Sequence, residues 1–213
     1  MNYPERLSVT TETIRKDLIY LDKKKLLHKF HGYVKPATEA SEHAFEFRIE
    51  EEQEQMADEI LKAKHIFVAG AGRSGMMARC FAMRLMHMGM KAYMVGEVVT
   101  PSMQEGDLLI IASGSGTTGS LVKMAEKAKA LNGRVGLITI YPGSTIGKMA
   151  DVVVQINAPT SKSEIDTGVT SIQPMGSLFE QSLLICLDFI IRILMDKTGI
   201  TGEEMFKRHA NLE

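Results

Sequence analysis

His65-Ile66-Phe67-Val68-Ala69 runs directly into Gly70-Ala71-Gly72-Arg73-Ser74-Gly75, and Asp107-Leu108-Leu109-Ile110-Ile111-Ala112 runs directly into Ser113-Gly114-Ser115-Gly116-Thr117-Thr118-Gly119-Ser120. Each is an apolar, β-branched run, then a glycine- and serine-rich turn, then a helical pattern, which is the order of a strand, turn and helix in a parallel sheet. Backbone N–H groups at a helix N-terminus attract anions, and glycine lets the chain close on a phosphate. Two such turns on one sheet would grip one phosphorylated small molecule.

The rhythm spreads outward from these turns. Short apolar runs at 65–69, 91–95, 107–112, 134–140 and 151–156 alternate with helical windows at 75–89, 117–131 and 144–150, then a long one from Gly176 to Lys197 and a short one at 202–208. This predicts an α/β fold, a three-layer α/β/α sandwich with a five-stranded parallel sheet. Residues 10–64 show no strand pattern and read as two helices broken at Gly32 and Pro36. Residues 1–64 are therefore expected to be a helical extension forming one structural unit with the domain at 65–213. Within it, Glu50-Glu51-Glu52-Gln53-Glu54 reads as a solvated helix face. The polar stretch from Asn157 to Pro174, with Ser161-Lys162-Ser163-Glu164, reads as a loop able to cover a site.

Composition narrows the function classes. A formal charge of −1 over 213 residues gives no electrostatic case for nucleic acid, and the balanced charge of residues 1–64 leaves little room for a DNA-binding domain, so no nucleic-acid partner is expected. Cys80 and Cys186 lie far apart in apolar helical patterns and read as free thiols, too few for a cysteine metal cluster. The start lacks an apolar signal core, and Leu183–Met195 is interrupted by Asp188 and Arg192, expected to pair four residues apart. A cytoplasmic protein with no membrane partner is expected. The methionines, among them Met83, Met86, Met88 and Met90, read mainly as core filling.

Alone, Gly70–Gly75 fits G-x-G-x-x-G, with Glu97 near the place of a ribose-binding acid, so a nicotinamide-dependent dehydrogenase is one reading. It leaves the second turn and its hydroxyls unexplained. A nucleoside-triphosphate loop is excluded because Ser120 stands where the lysine belongs. Hydroxyls and amides with little fixed positive charge suit a reversibly bound phosphate monoester.

The two turns, the later Gly176-Ser177-Leu178-Phe179-Glu180 and the ending Arg208-His209-Ala210-Asn211-Leu212-Glu213 together resemble the sugar isomerase (SIS) domain family over nearly the whole chain. The resemblance implies a flavodoxin-like SIS fold and a phosphorylated sugar substrate. It further implies interconversion of a 3-hexulose 6-phosphate with fructose 6-phosphate, no cofactor and no metal, and a homodimer or homotetramer. The phosphate would be held by Ser74, Ser113, Ser115 and Thr118. Thr117 stands where the family pattern has a glutamate, and Tyr141-Pro142-Gly143 replaces a polar strand ending; both bear on the sugar. Other ketose or aldose phosphates, and a phosphosugar-sensing module without catalysis, remain open readings.

Moving a carbonyl to the adjacent carbon needs a base that carries one proton through a cis-enediol. Glu180 is the candidate, in the first turn of a helix among Leu178, Phe179, Leu183 and Leu184, with Glu97 in reserve. His209, in the closing motif, is the candidate to protonate a sugar oxygen or open the ring, from its own or a neighbouring subunit. Arg73 is the candidate partner of the phosphate or enediolate. His28, His31, His65 and His87 carry no ligand pattern and read as structural or surface residues.

Overall fold

In the computed structural model, which describes residues 27–30, 33–36, 51–159 and 168–212, the chain falls into two units, Met1–Glu46 and Phe47–Glu213. In the first, β1 (Leu27–Phe30) and β2 (Tyr33–Pro36) pair antiparallel, Leu27 opposite Pro36 and Phe30 opposite Tyr33. This corrects the strand-free reading of residues 10–64. A two-residue link ending in Gly32 is a hairpin signal, and Pro36 is tolerated because it sits at the end of an edge strand. The rest of the helix pair expected before residue 51 lies outside the described residues, as does the segment Ser161–Glu164.

The second unit begins with α1 (Glu52–Lys62), which buries Met56, Ala57 and Ile60 and leaves Glu51 and Glu52 solvated. It continues through β3 (Ile66–Gly70), α2 (Gly72–His87), β4 (Ala92–Met94), β5 (Leu108–Ala112), α3 (Gly119–Ala130), β6 (Arg134–Thr139), β7 (Val152–Gln155), α4 (Ser177–Thr198) and α5 (Gly202–Phe206). The five predicted strands form one parallel sheet in the order β4-β3-β5-β6-β7. The window at 144–150 is not a helix. It is a run of turns closed by Lys148 N–H to Ser144 O and Ala150 N–H to Ile146 O, in a stretch where Pro142, Gly143 and Gly147 are poor helix formers.

Alternation along the strands sorts the two faces. Phe67 and Ala69, Leu109 and Ile111, and Val135 and Leu137 pack with Leu121, Ala125 and Ala128 of α3. The other parity turns toward α1, α2 and α4: at Gly136 an added Cβ would stand 2.8 Å from Met56 Sδ. On that side α4 buries Leu183, Cys186, Ile190 and Leu194 completely and contacts both α1 and α2. The three layers are therefore α3, the sheet, and the α1–α4–α2 group.

Cys186 is buried and Cys80 half-buried, both free. Burial pushes the Cys186 thiol up to about 12. Arg192 pairs with Asp196 at 2.8 Å rather than with Asp188, so the expected i,i+4 pair forms one turn later. Met88 fills core as expected, but Met83 and Met86 are exposed. Among the described residues no helix is long and apolar enough to cross a membrane.

Candidate active site

After β3 the chain moves to one side of it to make β4, then returns to the other side to make β5. The crevice at the carboxyl ends of β3 and β5 is the switch point of the sheet, where α/β proteins gather ligands because neighbouring turns diverge there. Both glycine turns open into it. They line a single cleft of about 320 Å³ with Arg73, Ser74, Ser113, Ser115 and Thr118, and with Gly176, Phe179 and Glu180 from the start of α4.

Close backbone approach shapes the first turn. A Cβ at Gly75 would lie 2.6 Å from Gly70 O, so the end of β3 and the first turn of α2 meet only because both positions lack side chains. In the second turn Gly116 has φ +62°, and a Cβ there would strike Ser144 Oγ at 2.0 Å. Ser113 Oγ accepts from Gly116 N–H at 3.2 Å, Ser115 Oγ accepts from Thr117 N–H at 3.3 Å, and Thr139 Oγ1 donates to Gly114 O at 3.0 Å. These bonds fix the loop before any ligand arrives.

Three helices begin at this cleft: α2 after Ala71, α3 after Thr118 and α4 after Gly176. None of the three has a side-chain cap. Their first N–H groups need acceptors from elsewhere, and their partial positive ends converge on one volume. An anionic group with several oxygens satisfies both needs.

Among the described residues, Arg73 and Glu180 are the charged side chains that line the cleft. Arg73 Nη1 donates to Ser177 Oγ at 3.0 Å and lies 2.9 Å from Glu180 Oε2. That approach is close enough for an ion pair but is not aligned as a hydrogen bond, and Glu180 Oε2 is buried with no hydrogen-bond partner. The ion pair holds the Glu180 carboxylate at the cleft wall beside the Arg73 guanidinium. Ser177 was not among the expected site residues. Its position within Gly176–Glu180 was the available signal, but its contact with Arg73 spans 104 residues.

Three expected residues fall elsewhere. Glu97 pairs with Arg79 on the surface, because β4 is the edge strand and its end lies one strand away from the switch point. Thr117 is exposed and does not line the cleft, contributing only its N–H to Ser115. His209 sits with Arg84, His87 and Phe206 at a separate cavity of about 400 Å³, stacked 5.4 Å from the His87 ring. Burial, then the Arg84 and His209 charges, hold the His87 imidazole below its ordinary value. His65 bonds Asp107 at 2.9 Å, a structural pair at the start of β3; the side chains of His28 and His31 lie outside the described residues.

Comparison with known proteins agrees with this geometry. Residues 59–185 match the SIS domain, and residues 3–39 match the DeoR-like helix-turn-helix domain. A 3-hexulose-6-phosphate isomerase of Bacillus subtilis is 55% identical over 76% of this chain and 88% of its own length. One from Methanocaldococcus jannaschii is 43% identical over 75% of this chain and 83% of its own. A crystal structure from Methanococcus jannaschii, for which a 3-hexulose-6-phosphate isomerase function is inferred, superposes with a TM-score of 0.67. It is 42% identical, over 76% of this chain and 86% of that one.

Proposed function

The chain belongs to the SIS-domain family, and from that premise we propose that it is a 3-hexulose-6-phosphate isomerase, interconverting D-arabino-hex-3-ulose 6-phosphate and fructose 6-phosphate. The observation that carries the reading is the meeting of both glycine turns with the Arg73–Glu180 ion pair in one cleft.

The substrate's phosphate takes the place of the missing caps, held by the N–H groups of the three helix starts and the hydroxyls of Ser74, Ser113, Ser115 and Thr118. The 3-ketose cannot close a five-membered ring, since the oxygen required is esterified, and it binds open-chain. Glu180 removes the proton from carbon 2, the pair of electrons moves to give a cis-enediol, and the same carboxyl returns a proton to carbon 3 as the carbonyl forms at carbon 2. Arg73, beside Glu180, sets the carboxylate's position and stabilises the negative oxygen that develops on the sugar. No step calls for a metal or a redox cofactor.

His209 lines no part of its own chain's cleft, so its part in moving the oxygen-bound proton, or in opening the ring of fructose 6-phosphate, falls to the cleft of a second copy. Met76, Met83 and Met86 share one face of α2 and are 53%, 46% and 41% exposed, an apolar stripe that supports a homodimer or homotetramer.

The test is exchange of solvent deuterium into fructose 6-phosphate at carbon 3. Glu180→Gln keeps the shape and removes the base, so exchange should fall by roughly 10²- to 10⁴-fold. Undiminished exchange removes Glu180 from the role.

A further inference from the structure

Arg208 and His209 stand side by side in the closing motif, and both are held by one residue at the far end of α2. Arg208 Nη1 donates to His87 O at 3.2 Å and to Glu204 O at 3.3 Å. The His209 ring stacks on the His87 ring at 5.4 Å, with 26° between their planes, and on Phe206 at 5.7 Å. His87 is only 3% exposed, so this platform is embedded in the fold, whereas His209 itself lies open to solvent. His209 Nδ1 donates to Ala210 O at 3.0 Å, since a carbonyl can only accept, and Nε2 is left for a sugar oxygen. Upstream, α5 is fixed by the Thr201–Glu204 capping box and by buried Met205.

We propose that His87 is a positioning residue for His209: its buried ring sets the plane of the His209 imidazole, and its carbonyl anchors the chain through Arg208. The inference deepens the isomerase reading and rests on it, because His87 acts only through His209. Chain ends fray unless they are tied down, and a misplacement of about 1 Å in a reacting group can cost about 10²-fold in rate. The contacts at His87 tie the end down at the residue that carries the chemistry. Burial, then the Arg84 and His209 charges, keep His87 uncharged at neutral pH; Asp188 and Arg192 of α4 are the other charged groups at this cavity. A neutral platform does not repel a protonated His209. α2 also carries the exposed stripe of Met76, Met83 and Met86, so the helix offered to a second copy is the helix that holds His209.

The experiment measures solvent deuterium exchange into fructose 6-phosphate over a range of substrate concentrations, with thermal unfolding of the same samples. His87→Ala should lower kcat roughly 10- to 100-fold with KM little changed, and His87→Phe, which keeps a flat ring, should recover most of that loss. Arg208→Gln, a change at an exposed side chain, should lower kcat in the same way. In a His209→Asn background neither His87→Ala nor Arg208→Gln should cost anything more, because a residue that acts through another has no effect once that other is gone. If His87→Ala does not fold, the cycle of Arg208→Gln with His209→Asn decides alone. Parental kcat in His87→Ala and Arg208→Gln, or losses that simply add to that of His209→Asn, would overturn the proposal while leaving the isomerase reading intact. Parental kcat in His209→Asn would instead remove the role on which the proposal rests, and a parent chain without exchange would remove the isomerase reading itself.

Discussion

Replacing Gly75 by alanine tests the claim that the first turn works through backbone contact. The added Cβ would stand 2.6 Å from Gly70 O, whereas ordinary contact begins at 3.4 Å, so the first turn of α2 must retreat by about 0.8 Å from the end of β3. Overpacking of this kind costs about 1–3 kcal/mol, which at about 2–4 °C per kcal/mol for a chain of this size lowers Tm by roughly 2–12 °C. The retreat carries Arg73 and Ser74 away from the bound phosphate. Loss of one charge-assisted hydrogen bond, worth about 1.5–3 kcal/mol, raises KM by roughly 10- to 150-fold, with kcat changed less. Gly119 is the control: a Cβ there meets nothing within 4 Å, and alanine at the start of α3 should leave KM alone and gain up to about 1 kcal/mol of stability. Thermal unfolding and a coupled assay for fructose 6-phosphate formation read both quantities. If Gly75→Ala keeps the parent's Tm and KM, or if both variants lose equally, the turn does not work by close approach.

If His209 serves a neighbour's cleft, Glu180→Gln and His209→Asn preparations, each nearly inactive, should regain activity when denatured together and refolded, approaching about a quarter of sites in random dimers. No recovery on mixing would confine His209 to its own subunit or remove it from the reaction. At the second cavity, His87 is held neutral in the fold below its ordinary value of 6.5. The unfolded chain therefore binds the extra proton first: stability is full above pH 6.5 and falls as pH drops toward the lowered folded value. Denaturant unfolding between pH 5 and pH 7.5 should show this slope in the parent and a flatter one in His87→Phe. An identical slope in both would place the proton elsewhere.

The parallel sheet was legible because strands covered on both faces must be apolar on every residue, and Ile66–Ala69 and Leu108–Ala112 are. The first glycine turn was legible for a related reason: where Gly70 meets Gly75 no other residue type fits, so contact geometry is written directly into composition. The β1–β2 hairpin was not. Leu27–Phe30 carries histidine and lysine that fit helical spacing as well as alternation, and Pro36 reads as a break unless its edge position is known. The segment at 144–150 failed in the opposite direction: a helical apolar pattern around Ile146 and Met149 closes only as turns, with Gly147 packed so near Pro142 O that an added Cβ would lie 1.8 Å from it.

At the site, the candidates that share the cleft are those whose neighbours along the chain define them, and the position of those that lie elsewhere depends on which strand stands beside which. Glu97 looked like a ribose-binding acid because a strand end is a good address in general. Strand order makes the end of β4 a poor one, and Arg79, on the helix that precedes β4, takes the carboxylate instead. Ser177 entered the site for the converse reason, since α4 starts where α2 starts and sets a hydroxyl under Arg73. The same convergence of helix starts leaves Glu180 with one buried oxygen beside a guanidinium that does not donate to it squarely. A carboxylate needed only for the helix would be better served by a cap or by solvent. We read its position facing both glycine turns as that of the base an isomerase requires, a role that a passive phosphosugar receptor has no need of.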